Sequence, residues 1–166
     1  MDRFRDSCCA FSCVVSYTSD TYRLLAHLSV AREAMPHMWF FLNWSSIVPA
    51  DIVAAFECVN FHAAPLPYGR GGAPIENMIL RGHTETIITA HRMTAEIDAG
   101  PIYGTRGPIS LAGTKDQILA RFIEPCADLI QWIVTEEPTP APQVGEVVHF
   151  RRLGPEAYKE FWKARA

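Results

Sequence analysis

The sequence predicts an α/β domain with a mainly parallel sheet, and three stretches carry that prediction. Met38 to Leu42 is an unbroken apolar run, Met-Trp-Phe-Phe-Leu, the pattern of a central parallel strand buried on both faces. Pro49 suits the first position of a short helix through Phe56, and Cys58 to Phe61 follows as a second apolar, β-prone segment. Strand, helix, strand in that order is a parallel unit. From Thr114 a long helical pattern begins, with Ile118, Phe122, Leu129 and Ile133 at helical spacing, so one face of the sheet is expected to lie under a helix.

The remaining elements follow in chain order. Phe11 to Tyr17 reads as a strand, and Thr21 to Met35 places Leu24, Leu25, Leu28 and Ala31 at helical spacing. Asn43-Trp44-Ser45-Ser46 leaves the sheet after the apolar run. Beyond His62, two prolines and Gly-Arg-Gly-Gly exclude a continued strand or helix and predict a loop with unusual backbone angles. Pro74 opens a helix with Ile75, Met78 and Ile79 on one side and Gly82 as its stop. Thr86 to Met93 returns as a strand. Ile102 to Leu111 is another, expected to be bent or bulged at Gly104 and Gly107. Thr114-x-x-Gln117 is a capping box, and Leu119, Ile123, Cys126 and Ile130 flank the apolar stripe of the helix it starts. Pro125 predicts a kink there or a break into two pieces. Glu137 to Gly145, with Pro138, Pro140 and Pro142, reads as an extended linker. Val147 to Arg152 could add an edge strand, and Pro155 to Arg165 a short helix whose Tyr158, Phe161 and Trp162 are expected to pack as a tail. The division expected is thus a catalytic domain over residues 1–136 and a proline-rich linker and tail over 137–166.

Composition narrows the function classes. The chain has 166 residues, one domain's worth, and 49% of them are hydrophobic, enough for a globular core. A net charge of -3 offers no global attraction to a phosphate backbone, so no nucleic-acid partner is expected. Cys8, Cys9, Cys13, Cys58 and Cys126 are odd in number and lack paired zinc-ligand spacing, which indicates reduced thiols rather than disulfides or a metal site. No run approaches a membrane span, and no secretory cleavage pattern follows the short apolar stretch near Cys8. The expectation is a soluble, cytoplasmic protein with no membrane and no metal.

The chemistry gathers after Cys58. Asn60 and His62 alternate with apolar neighbours on one strand and therefore point the same way, at a strand-to-loop junction of the kind where open α/β sheets bind ligands. Downstream, an apolar strand through Ile87 and Ile88 ends in His91, and an acidic turn, Ile97-Asp98-Ala99-Gly100-Pro101, follows.

Asn60-x-His62, then Pro-Leu-Pro and Arg-Gly-Gly-Ala-Pro-Ile, then a Gly82-x-x-x-Thr segment and Ile97-Asp98-x-Gly100-Pro101, resembles the catalytic core of the folate-dependent formyltransferases over roughly residues 37 to 135. The resemblance implies a Rossmann-like, three-layer domain of formyltransferase type, with Asn60, His62 and Asp98 as the catalytic triad. It also implies 10-formyltetrahydrofolate as formyl donor. Trp44, Ser45, Ser46, Leu66, Met93, Thr94 and Glu96 would line the folate pocket, and Tyr68, Arg70, Gly71 and His91 the acceptor side. Asn60 and His62 would donate hydrogen bonds to the oxyanion, and Asp98 would take the amine's proton, directly, through water or through His62.

The acceptor implied is a primary amine. The wording from Asn43 to Pro49 and from Pro65 to Ile75 is closest to formyltransferases acting on nucleotide-linked amino sugars. Hydroxyornithine and methionyl-tRNA are the other acceptors in view, and a folate-binding, catalytically impaired remnant or regulatory domain is the alternative from another class. Ahead of Met38 the family has two strands with their helices, and this sequence has room for part of that. A homodimer contact, a rearranged amino-terminal segment or a missing upstream piece is expected to cover the edge of the Met38 strand, with a self-contact by Phe11 to Tyr17 as the simplest device.

Overall fold

The computed structural model describes residues 13–16, 38–44 and 46–166. Strands β1 (Cys13–Ser16), β2 (Met38–Leu42), β3 (Glu57–His62), β5 (Glu85–Arg92) and β6 (Ile102–Ser110) form one sheet in the order β1-β2-β3-β5-β6. Strands β4 (Tyr68–Gly71) and β7 (Val148–Phe150) form a second, two-stranded sheet. Helices α1 (Ala50–Ala55), α2 (Pro74–Leu80), α3 (Lys115–Glu136) and α4 (Pro155–Lys163) complete the described elements. β1, β2 and β3 pair in parallel, as do β4 and β7, whereas β5 runs antiparallel to both β3 and β6. Parallel pairings thus predominate, and the sheet changes direction at β3.

The apolar run of β2 does what its composition demands. Trp39, Phe40 and Phe41 are fully buried, with Phe40 in a core cluster that includes α3 and Trp39 and Phe41 in a second cluster around Val48, Ile52 and Cys58. Helices therefore cover both faces of the strand, the layered arrangement that a parallel sheet requires. Pro49 stands one residue before its helix, as the N-cap of α1, with an extended backbone. The strand expected over Phe11 to Tyr17 is described at Cys13–Ser16, where it pairs with β2 from Met38 to Phe41. That pairing covers the β2 edge. The helix expected over Thr21 to Met35 lies outside the described residues.

Several expectations need correction. The glycine-rich stretch after His62 is not all loop, because Tyr68–Gly71 pairs with Val148–Phe150. Glycine makes this possible: Gly69 and Gly71 adopt φ of +94° and +108°, and a Cβ on Gly71 would sit 2.5 Å from the Phe150 carbonyl oxygen. Helix α3 runs unbroken through Pro125. A proline removes one backbone bond, but Phe122 and Cys126, buried on either side of it, hold both halves against the same core. Of the flanking residues, Ile123 faces solvent, while the capping box of Thr114 and Gln117 forms as expected. Strand β6 is irregular near its glycines, with register shifts between Thr86 and Ile88 and between Ala90 and His91 on its partner.

Residues 137–166 pack onto the domain. Ala141 exchanges two backbone hydrogen bonds with Ile102, at 2.7 and 2.8 Å, and Phe150 is buried in the main core. The Trp162 indole donates a 2.8 Å hydrogen bond to the buried Glu76 carboxylate on α2. The aromatic tail helix is thereby tied to the body by a polar contact as well as by area.

Candidate active site

Strand β3 ends at the polar cluster. Its neighbours Val59 and Phe61 enter the core, which turns Asn60 and His62 to the other side, and both are buried. The antiparallel pairing places Asn60 opposite His91 of β5, so a third polar side chain joins them from the adjacent strand. After Arg92 the chain turns through residues 93–100 and presents Asp98 to all three.

Asp98 is the hub. One carboxylate oxygen, Oδ1, accepts from Asn60 Nδ2 at 3.3 Å and lies 3.3 Å from His91 Nε2. The other, Oδ2, accepts from the Gly71 backbone N–H at 2.9 Å and lies 3.6 Å from His62 Nδ1. Asp98 itself is left-handed, at φ +52°, a conformation that Asp tolerates better than most residues but that still needs holding. Gly100 allows the turn to close, since a Cβ there would collide with the Arg92 carbonyl. Burial pushes the Asp98 carboxyl up, but the His91 hydrogen bond, the His62 imidazole and the Gly71 N–H together outweigh it and hold the group at about 2. The carboxylate is ionised at neutral pH.

The Gly69 hydrogen bond sets the tautomer of His62. His62 Nε2 lies 2.7 Å from the Gly69 carbonyl and so must carry a proton to donate there, which leaves Nδ1 as a lone pair facing the Asp98 carboxylate. Burial lowers the His62 pKa, against the opposing pull of Asp98, so the ring is neutral at pH 7. Two acceptors then face each other across 3.6 Å with no proton between them. His91 Nδ1 donates to the Arg92 carbonyl at 2.9 Å, turning Nε2 toward Asn60 and Asp98. Asn60 Nδ2 lies 3.3 Å from His91 Nε2, and the same nitrogen serves Asp98. The amide cannot be flipped without setting oxygen against carboxylate. Its own Oδ1 is buried and unpaired.

The two oxyanion donors expected from the sequence are therefore already engaged inside the protein: Asn60 N–H with Asp98, His62 N–H with Gly69. A further difference concerns the acceptor side. His91 is almost wholly buried beneath the cluster rather than on its rim. Tyr68 turns its ring against Phe150 and His83 and its hydroxyl to His83 Nε2, at 3.1 Å. Arg70 is bound to Glu96 at 3.1 Å and to Gln143 at 3.0 and 2.8 Å, and Gly71 contributes its N–H.

On the expected folate side, Trp44 packs edge-on against Phe41 and, with Met93, borders the second core cluster. Its indole N–H is buried with no hydrogen-bond partner. Leu66 is buried, Ser46 half-buried, and Thr94 Oγ1 donates to the Glu96 carbonyl at 2.9 Å. Ser45 lies outside the described residues. A shallow depression of about 430 Å³ bounded by Pro65, Tyr68, Met78 and His83 contains none of Asn60, His62, His91 or Asp98, so the site is assigned from its chemistry and not from cavity size.

The sequence reading missed Gln143. It lies in the run expected to be a plain linker, yet its Nε2 donates to the carbonyls of Asp98 and Gly100, both at 2.8 Å, while its Oε1 accepts from Arg70. No local pattern marks a glutamine among prolines as part of a site 45 residues away.

Comparison with known proteins adds an independent line. Residues 13–130 match the family model described as formyl transferase. A methionyl-tRNA formyltransferase from Thermobifida fusca is 38% identical over 132 residues, covering 75% of this chain and 43% of that protein. The solved structure of methionyl-tRNA formyltransferase from Clostridium thermocellum superposes with a TM-score of 0.74 at 28% identity, over 89% of this chain and 74% of that one. The formyltransferase PseJ from Anoxybacillus kamchatkensis, solved with UDP-4,6-dideoxy-4-formamido-L-AltNAc and tetrahydrofolate, superposes with a TM-score of 0.57 at 20% identity, over 69% of this chain and 64% of that one. The chain spans about half the length of the curated relatives it matches, 43% and 52% for two of them.

Proposed function

We propose, from the premise that this chain belongs to the formyl transferase family, that it moves a formyl group from 10-formyltetrahydrofolate to a primary amine. The observation that carries the reading is the buried Asp98 carboxylate flanked by His62, His91 and Asn60. In the reaction a neutral amine nitrogen forms a bond to the formyl carbon, the bond from that carbon to N10 of the folate breaks, and one proton passes from the amine to N10. A group that holds the proton in between is needed. His62 Nδ1 and Asp98 Oδ2, two acceptors 3.6 Å apart, would share a proton placed between them. General-base help of this kind contributes about 10² to 10⁴ in rate.

The negative oxygen that develops on the formyl group needs a donor. Asn60 Nδ2 is held by two contacts of 3.3 Å, near the long limit for a hydrogen bond, whereas His62 Nε2 holds Gly69 at 2.7 Å. Asn60 is the donor that changes partner at the lower cost. A preorganised donor is worth roughly 2.7 to 4 kcal/mol of barrier. The Trp44 indole, unpaired within the protein and bordering the same apolar cluster as Met93, is the donor proposed for the edge of a pterin ring, which carries hydrogen-bond acceptors on an otherwise flat surface.

For the acceptor, the relatives named methionyl-tRNA formyltransferases stand at 38% and 28% identity and the sugar-bound neighbour at 20%. Methionyl-tRNA is therefore the first amine to test, ahead of the nucleotide-linked amino sugar that the loop wording favours. The experiment is a thermal-shift titration with 5-formyltetrahydrofolate, joined to a transfer assay that reads the mass gain of one formyl group on methionyl-tRNA, a nucleotide-linked amino sugar and hydroxyornithine. Stabilisation by folate with transfer to one acceptor supports the reading. The absence of both stabilisation and transfer overturns it, and stabilisation without any transfer marks a folate-binding domain instead.

A further inference from the structure

We propose that Gln143 is a positioning residue for the catalytic carboxylate, a carboxamide clamp that keeps the Asp98 turn in its left-handed conformation and locks it to strand β4. The inference rests on the formyl-transfer reading for its kinetic consequence but not for its geometry.

The clamp follows from backbone register. Ala141 and Ile102 exchange both their N–H and C=O groups, an antiparallel pair that brings residue 143 alongside Gly100. From there the Gln143 side chain uses its two N–H groups on two carbonyls, Asp98 and Gly100, at 2.8 Å each. Its oxygen receives both Nε and Nη2 of Arg70, at 3.0 and 2.8 Å. Four hydrogen bonds from one half-buried amide join three segments: the 93–100 turn, β4 and the stretch before β7.

The consequence falls on the carboxylate. Asp98 presents its two oxygens to four groups from three elements, Asn60 and His62 on β3, His91 on β5 and the Gly71 N–H on β4. That presentation requires φ of +52° at a residue with a side chain, which persists only where the surroundings over-determine it. The carboxylate end is held by Gly71 and the carbonyl end by Gln143. Arg70, one residue before Gly71, is anchored to the same amide, so the clamp fixes both the carboxylate and its strongest backbone donor. Arg70 and Glu96, each charged and each beside this turn, pair with each other at 3.1 Å. An asparagine is too short to span the same carbonyls, and a glutamate keeps the acceptor for Arg70 but loses both donors.

The test uses three proteins, wild type, Gln143→Ala and Gln143→Glu, and two readouts. The first is the carboxyl titration of Asp98 followed by carbon-detected NMR, which does not require turnover. With the donors gone the turn relaxes, the Gly71 N–H bond weakens, and the midpoint rises from about 2 toward the ordinary carboxylate range in both variants. The second is steady-state transfer, where kcat falls at least tenfold while the KM for folate stays within about twofold. A titration midpoint unchanged in both variants overturns the proposal, and so does a wild-type kcat retained by Gln143→Glu. Loss of stability alone, with titration and kcat unmoved, also overturns it, because it assigns Gln143 to the fold. If wild type transfers no formyl group, the functional reading fails, and the titration still decides the clamp.

Discussion

Strand β3 has two unlike sides. Toward β2 it pairs with a strand whose Trp39, Phe40 and Phe41 are completely buried, and order there comes from apolar packing. Toward β5 it meets His91, and beyond that the Asp98 turn, where order comes from hydrogen bonds between residues 31 and 38 positions apart. The first side builds a scaffold and the second builds a site. Within the strand, alternate side chains leave in opposite directions, so Val59 and Phe61 can be core while Asn60 and His62 are chemistry.

The division can be broken on either side, and the largest effect is expected on the polar one. Asp98→Asn removes the charge that organises two imidazoles, and transfer should fall by about 10² to 10⁴ while unfolding stays cooperative. His62→Ala should fall in the same range. Activity within about tenfold of wild type in either variant would mean that the cluster is structural. On the apolar side Phe40→Ala should cost about 3 to 5 kcal/mol, read from urea unfolding, with the residual folded fraction still active. A cost below about 1 kcal/mol would mean that β2 is not the scaffold.

A smaller effect sharpens the comparison through pH. His62 has a lowered pKa in the fold against 6.5 for the free group, so the unfolded chain takes up its proton first, and stability is lost as pH falls below about 6.5. Asp98, held at about 2 against 3.8, adds a second loss as pH falls from about 4 toward 2, worth about 2 kcal/mol in all. His62→Gln should flatten the upper window and Asp98→Asn the lower one. An unchanged stability profile in both would show that neither group titrates differently on folding.

The two sides also differ in how far they could be read from sequence. Met38 to Leu42 announced a buried strand because burial on both faces leaves its mark on every residue of the run. The capping box at Thr114 was equally local. Asn60 and His62 stood out by alternation, and Asp98 by its place in a motif. Gln143 did not, since its partners are the carbonyls of Asp98 and Gly100 and the guanidinium of Arg70, none of which lies near it in the chain. The engagement of Asn60 and His62 by internal partners was hidden for the same reason. At Pro125 the break into two pieces is overruled by Phe122 and Cys126, both buried against the core. Local rules placed the strands and most of the helices, and long-range polar contacts set the site.

The most direct measurement follows a labelled formyl group from 10-formyltetrahydrofolate in a single turnover, with wild type and Asp98→Asn compared by mass spectrometry of the amine. The label should appear as a formamide on the acceptor with wild type and be nearly absent with Asp98→Asn, although both proteins bind folate equally. Equal transfer by the two proteins, or folate binding by wild type with the label reaching no amine, would contradict the assignment of Asp98 and its imidazoles as the group that moves the proton.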